Sequence, residues 1–262
     1  MRANSVLIVA CVMASFWAWQ QDPQFAERNL LFSFNNLAQG RYWTLAAALF
    51  IHGSLFHLIG NMIFLFVFGG TLQSTIGAAR YLVVFFTGGV SAFVLSGLVM
   101  PPSAGMVGAS AAIFAVAACV MLVRPLKFSW LFLLPQGLVA ILYFLYNVIV
   151  VYDPTWIPGY DPQVGYIPHI IGFATGVPFG IAWSESWKKN LLITLVLLAA
   201  YVVIVTLAAD FVARYAKSVA ARSLPSDAGR IAVRSPGWTG KAFSARAQAW
   251  DPWRRAARRP GD

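Results

Sequence analysis

Apolar residues run along this chain in long blocks, without the alternation of a half-wet strand or the one-sided period of a surface helix. The blocks fall at about 5–19, 44–69, 80–100, 110–123, 128–152, 167–183 and 191–209. A helix needs roughly 20 such residues to cross a hydrocarbon core of about 30 Å. The pattern therefore predicts an all-α polytopic membrane bundle: six helices in a core spanning 1–185 and a seventh within 186–213. Behind the first block stand Gln20, Gln21 and Asp22, with no small-residue cleavage site, which reads as a retained helix and not a removed signal. The fourth block closes at Arg124 and Pro125 and is short, so Ser110 is expected to begin its helix below the membrane surface.

Composition agrees with that setting. Of 262 residues, 59% are hydrophobic and 11% charged, with a mean hydropathy of +0.69, which excludes an ordinary soluble domain. The net charge of +10 is largely a property of the tail 214–262, which holds 11 Lys or Arg against 3 Asp. That segment has no amphipathic order and reads as a disordered, solvated tail, able to meet anionic lipid but lacking any signature of specific nucleic-acid binding. Arg80, Arg124, Lys127, Lys188 and Lys189 flank loops of one side, with Asp153 and Asp161 opposite. The first side is therefore expected in the cytoplasm of a multi-pass protein of the cell membrane.

Chemistry-bearing residues are few. Cys11 and Cys119 sit in apolar blocks without pairing or ligand spacing and read as small hydrophobes. No His/Cys/Asp/Glu cluster has metal spacing, and neither a metal nor another cofactor is expected. Charged residues between 44 and 209 all fall at block ends or in loops, which leaves His57 and His169 inside, with His52 at the start of the second block. Polar groups at membrane depth are costly and point to function.

Each candidate has two readings. His57 and Asn61, four residues apart on one helical face, serve either as interhelical hydrogen-bonding groups or as paired donors for an oxyanion. Ser110, two residues after Gly108, is either an N-cap or a nucleophile beside the free N–H groups of a helix start. His169 follows Pro168 and precedes Gly172 and Gly176, a small-residue stripe that suits close packing against Ala111, Ala115 and Ala118. Such a seam would bring Ser110 and His169 together, a geometry for intramembrane hydrolysis. The segment 153–165, with Pro154, Pro158, Gly159 and Pro162, reads either as a cap over that site or as an ordinary turn region.

The run His52-Gly53-Ser54-Leu55-Phe56-His57-Leu58-Ile59-Gly60-Asn61, then Gly108-x-Ser110, then His169-x-x-Gly172-x-x-x-Gly176, resembles the rhomboid intramembrane serine proteases in residue type, order and placement. The resemblance covers about 33–183. It implies a six-helix rhomboid core, Ser110 as nucleophile and His169 as general base without a third acidic member. It also implies an oxyanion hole of His57, Asn61 and the Ser110 backbone N–H, with Phe114 beside the His169 ring. Substrates would be transmembrane segments of other proteins in the bilayer, cut near the non-cytoplasmic surface. Two departures stand out: Ala111 occupies a position usually Gly, adding a methyl to the seam, and Trp43 is followed by Thr44 where Arg is usual. A catalytically silent, membrane-helix-binding member of the family is the alternative, but loss of Ser or His, its expected mark, is absent. A transporter would show repeated halves and midplane charges, and neither is present.

Overall fold

A helix that is apolar on every face has no side to turn to water, and Ser110–Val123 (α8) is such a helix. Every residue from Ala111 to Leu122 is buried. The computed structural model describes residues 2–157, 160–161 and 164–223. They contain Ala3–Ala18 (α1), the short helices Pro23–Asn29 (α2), Phe34–Ala38 (α3) and Thr44–Ala47 (α4), then Leu55–Phe64 (α5), which continues through a π turn into Gly70–Ile76 (α6). Next come Ala78–Ser96 (α7), α8, a two-residue antiparallel pair of Phe128–Ser129 (β1) with Leu134–Pro135 (β2), Gln136–Tyr152 (α9), Tyr166–Trp183 (α10) and Trp187–Ser223 (α11). Within the first compact unit, Met1–Val203, α8 packs on α10, α7 and α9. Of the second unit, residues 204–223 are described and are helical, with exposed side chains as far as Val219.

By length and composition, Leu55–Ile76, Ala78–Ser96 and Trp187–Val219 suffice to cross a membrane, while α1, α8 and α9 are shorter apolar helices. Large apolar side chains such as Met13, Phe66, Val83, Leu192 and Phe211 lie on the outside. A bundle that turns such residues outward is solvated by lipid, and the chain is an integral membrane protein of polytopic, all-helical design.

Three boundaries differ most from the sequence pattern. The second long helix starts at Leu55 and not at 44, because Ser54 is extended and its Oγ accepts the His57 backbone N–H at 3.2 Å, an N-cap that opens the helix there. Residues 44–50 form two short helical turns instead, and 51–54 are not helical. The fifth starts at Gln136 and not at 128: Pro135 forces the preceding residue into extended backbone, and Leu133 takes a positive φ of 55°. The last helix runs on to Ser223, past residue 213, because no breaker interrupts it; residues 224–262 of the expected tail lie outside the described residues.

The 14 residues of α8 span about 21 Å at 1.5 Å each, against a hydrocarbon core of about 30 Å. The loop leading into it fills the difference by dipping into the bundle. Phe32 and Met106 exchange backbone bonds at 3.1 and 2.7 Å, Asn35 N–H donates to the Pro102 carbonyl at 3.0 Å, and Gly108 N–H donates to the Ala48 carbonyl at 2.8 Å.

At the opposite end, Tyr81 donates its hydroxyl to Asn4 Oδ1 at 2.6 Å, while Asn4 N–H donates to Gln73 Oε1 at 2.7 Å. Both side chains are buried, and the hydroxyl lies over Gly69, where an added Cβ would stand 2.8 Å from it. Tyr81→Phe leaves the Asn4 oxygen unpaired and is expected to cost about 1–3 kcal/mol. Thermal unfolding in detergent checks this, and an unchanged transition would remove the bond from the account of stability.

Candidate active site

The nucleophile candidate stands at a turn that only glycine permits. Gly108 has φ +108°, and a Cβ built there would lie 2.8 Å from His57 Cε1 and 2.9 Å from His57 Nε2. The turn delivers Ser110 to the first position of α8, where the cap residue is Ala109 and no side chain caps the helix. The N-cap reading of Ser110 is thereby overturned. Its Oγ is not turned back onto its own backbone but lies 2.7 Å from His169 Nε2. Ser110 and His169 are both half-buried.

The seam between α8 and α10 sets that distance. A Cβ added to Gly172 would overlap the Ala111 carbonyl oxygen and sit 2.9 Å from its carbonyl carbon; at Gly176 it would overlap the Ala115 carbonyl oxygen. At Gly180 it would meet the Leu122 side chain at 2.8 Å. What the glycines of α10 meet at Ala111 is therefore backbone, so the Ala111 methyl lies outside the closest approach, and the pair forms with alanine in place. Phe114, one turn after Ser110, stacks on the His169 ring with centroids 4.6 Å apart and planes 12° from parallel.

His57 is brought to the same turn through Gly108. Asn61 is buried on the same helix, and its Nδ2 donates to the His57 carbonyl at 2.9 Å, a bond within α5. An amide nitrogen has two N–H donors, and this bond occupies one. Among the described residues no three His, Cys, Asp or Glu side chains gather as a metal would need.

Two site residues were not singled out for a role from sequence. His52 is fully buried, in edge contact with His57 at 5.1 Å. Ser15 Oγ donates to the Phe50 carbonyl at 3.2 Å, which leaves it to accept from His52 Nδ1 at 3.0 Å, while the Ala109 N–H donates to His52 Nε2 at 3.4 Å. Asn147 on α9 is within 2.8 Å of His169 Nδ1. Its signal was there to read, as an amide in an apolar run, but a census of ionisable groups passes over amides.

The long loop after α1 is held by other means than a Trp-Arg pair. Arg41 donates to Asn36 Oδ1 at 2.9 Å, Asn36 Nδ2 donates to the Glu27 and Leu31 carbonyls at 2.8 and 2.9 Å, and Trp43 Nε1 donates to the Asn29 carbonyl at 2.9 Å. On the far side of the site, Asp153 accepts from the Thr155 hydroxyl and N–H at 2.7 and 2.9 Å, bonds that hold its exposed carboxyl below the usual carboxylate range. Of the expected cap, Pro158, Gly159 and Pro162 lie outside the described residues.

A family model for the Rhomboid domain matches residues 39–186. Among known proteins, the chain is 30% identical over 131 residues to Rhomboid-like protein 11, chloroplastic, of Arabidopsis thaliana, covering 49% of this chain and 44% of that one. It is 27% identical over 113 residues to the Bacillus subtilis (strain 168) protein named "Putative rhomboid protease YdcA", covering 42% and 57%. It is 28% identical over 138 residues to RHOMBOID-like protein 6, mitochondrial, of Arabidopsis thaliana, covering 53% and 42%. The aligned segments thus span about half the length of these relatives.

Proposed function

The chain belongs to the rhomboid family, and on that premise we propose that it is an intramembrane serine endopeptidase acting through Ser110 and His169. The observation that carries this reading is the 2.7 Å approach of Ser110 Oγ to His169 Nε2, within reach for direct proton transfer. Ser110 Oγ adds to the scissile carbonyl carbon while its proton passes to Nε2. The resulting oxyanion is met by the Ser110 N–H at the start of α8 and by the side chains of His57 and Asn61. As the C–N bond breaks, the proton on Nε2 goes to the departing amine. Water, deprotonated by the same ring, then releases the acyl group from Ser110. No cofactor enters this sequence.

The substrates are transmembrane segments of other proteins, and a cut in one requires local unwinding, which favours small and helix-breaking residues near the bond. Arg80 lies over the Trp183 ring at 5.6 Å, and Asn190 Nδ2 donates to the Leu122 carbonyl at 2.7 Å, so the basic block ends share one end of the bundle. That end is assigned to the cytoplasm and Ser110 to the opposite side of the cell membrane.

A membrane-impermeant fluorophosphonate applied to intact cells is the test. Labelling at Ser110 that disappears in His169→Ala supports both the activity and its side. Label that appears only after the membrane is opened reverses the orientation, and label that persists in His169→Ala removes the dyad.

A further inference from the structure

α9 carries a polar side chain for which the reaction above has no task. Asn147 is 2% exposed, in a helix whose residues from Leu138 to Tyr152 are otherwise aliphatic or aromatic. Its Nδ2 donates to the Tyr143 carbonyl at 2.7 Å, and its Oδ1 lies 2.8 Å from His169 Nδ1. A backbone carbonyl only accepts, so the amide nitrogen must face Tyr143 and the amide oxygen must face the imidazole. That oxygen also only accepts. The hydrogen of the neutral His169 ring therefore sits on Nδ1, which leaves the Nε2 lone pair pointed at Ser110 Oγ. Phe114 covers the ring face at 4.6 Å, so the imidazole is held along one edge and across its plane.

We infer that Asn147 is the third member of a hydrogen-bonded series, Ser110–His169–Asn147: a positioning residue that fixes the tautomer and ring plane of the base. The inference rests on the protease reading of Ser110 and His169. In serine hydrolases of the familiar type a carboxylate fills this place; here a neutral amide does so, and the resting site buries no charge. When Ser110 Oγ bonds to the scissile carbon, its proton moves to Nε2 and the ring becomes cationic. The Nδ1–H···Oδ1 bond is then charge-assisted and tightens in the state that needs it. When the amine leaves with the Nε2 proton, the ring returns to the Nδ1–H form, ready for the acyl-enzyme step. Without the acceptor the hydrogen distributes over both nitrogens, and the Nε2–H form cannot take the serine proton.

The test compares the parent with Asn147→Leu, close in volume but lacking an acceptor, and Asn147→Asp, which keeps one. Purified proteins in proteoliposomes are assayed on a transmembrane substrate for kcat and KM, and 15N-histidine NMR reports the tautomer of His169, whose signals are those missing in His169→Ala. The parent is expected as the Nδ1–H tautomer. Asn147→Leu should lose that tautomer and at least about tenfold in kcat, with KM within about twofold. Asn147→Asp should restore the tautomer and most of kcat. A packing role alone would lower the unfolding temperature of Asn147→Leu and leave tautomer and kcat at parental values, which overturns the inference. So does an Nε2–H tautomer in the parent, a result that stands even where Asn147→Leu fails to fold. The two readings fail differently: cleavage that ignores Ser110→Ala removes the reaction and this inference with it, whereas Ser110-dependent cleavage with an unaffected Asn147→Leu removes this inference alone.

Discussion

Ser110→Ala is expected to lower cleavage of a transmembrane substrate by at least about a thousandfold while leaving the protein folded. The substitution removes one oxygen from the first turn of α8 and keeps the helix, since Ser110 caps nothing and its side chain bonds across to His169 Nε2. A factor of about a thousand corresponds to roughly 4 kcal/mol of transition-state stabilisation. The double variant Ser110→Ala, His169→Ala should be no slower than either single one, because the two groups act as a unit and the second loss has nothing left to remove. Single-turnover assays on purified protein check both points. Multiplying losses in the double variant would show that the two side chains work separately.

Gly172→Ala is expected to reduce activity about a hundredfold and to lower the unfolding transition, although it adds one methyl and touches neither reacting group. Its Cβ would overlap the Ala111 carbonyl oxygen and lie 3.2 Å from the Ala111 Cα. Backbone inside a helix has no rotamer to yield with, so α10 must move away from α8. Those two helices carry His169 and Ser110, and a displacement near 1 Å between base and nucleophile is enough for a loss of about that size. Gly60→Ala is the matching control, since a Cβ there meets nothing within 4 Å. Parental kcat and stability in Gly172→Ala, or an equal loss in Gly60→Ala, would remove the seam as the element that sets the distance.

The sequence made the helical bundle, the Ser110 and His169 positions and the glycine stripe readable because each is a local pattern: block length, polarity at depth, and repeat of small residues. What it hid depends on the third dimension. The start of the second long helix turned on the Ser54 cap, and the start of α9 on the backbone restriction before Pro135, both outvoted by continuous hydrophobicity when the chain is scanned in blocks. Ser110 looked like a cap because serine before an apolar run commonly is one, and only the cap at Ala109 and the 2.7 Å approach to His169 Nε2 show the hydroxyl turned elsewhere. Asn147 carries no charge and has no spacing relation to His169, so its part could be read only from the approach of α9 to α10.

His52 bears on where the functional unit begins. The family model starts at residue 39, yet the Ala109 N–H beside Ser110 leans on His52, and His52 leans on Ser15 in α1. Trp19, at the end of that helix, also donates to the His52 carbonyl at 2.7 Å. The segment matched by the family model and the structural unit around Ser110 are therefore different lengths. A helix outside the matched segment braces the turn that carries Ser110, so the segment before residue 39 is more than a membrane anchor: any replacement inherits the duty of meeting His52.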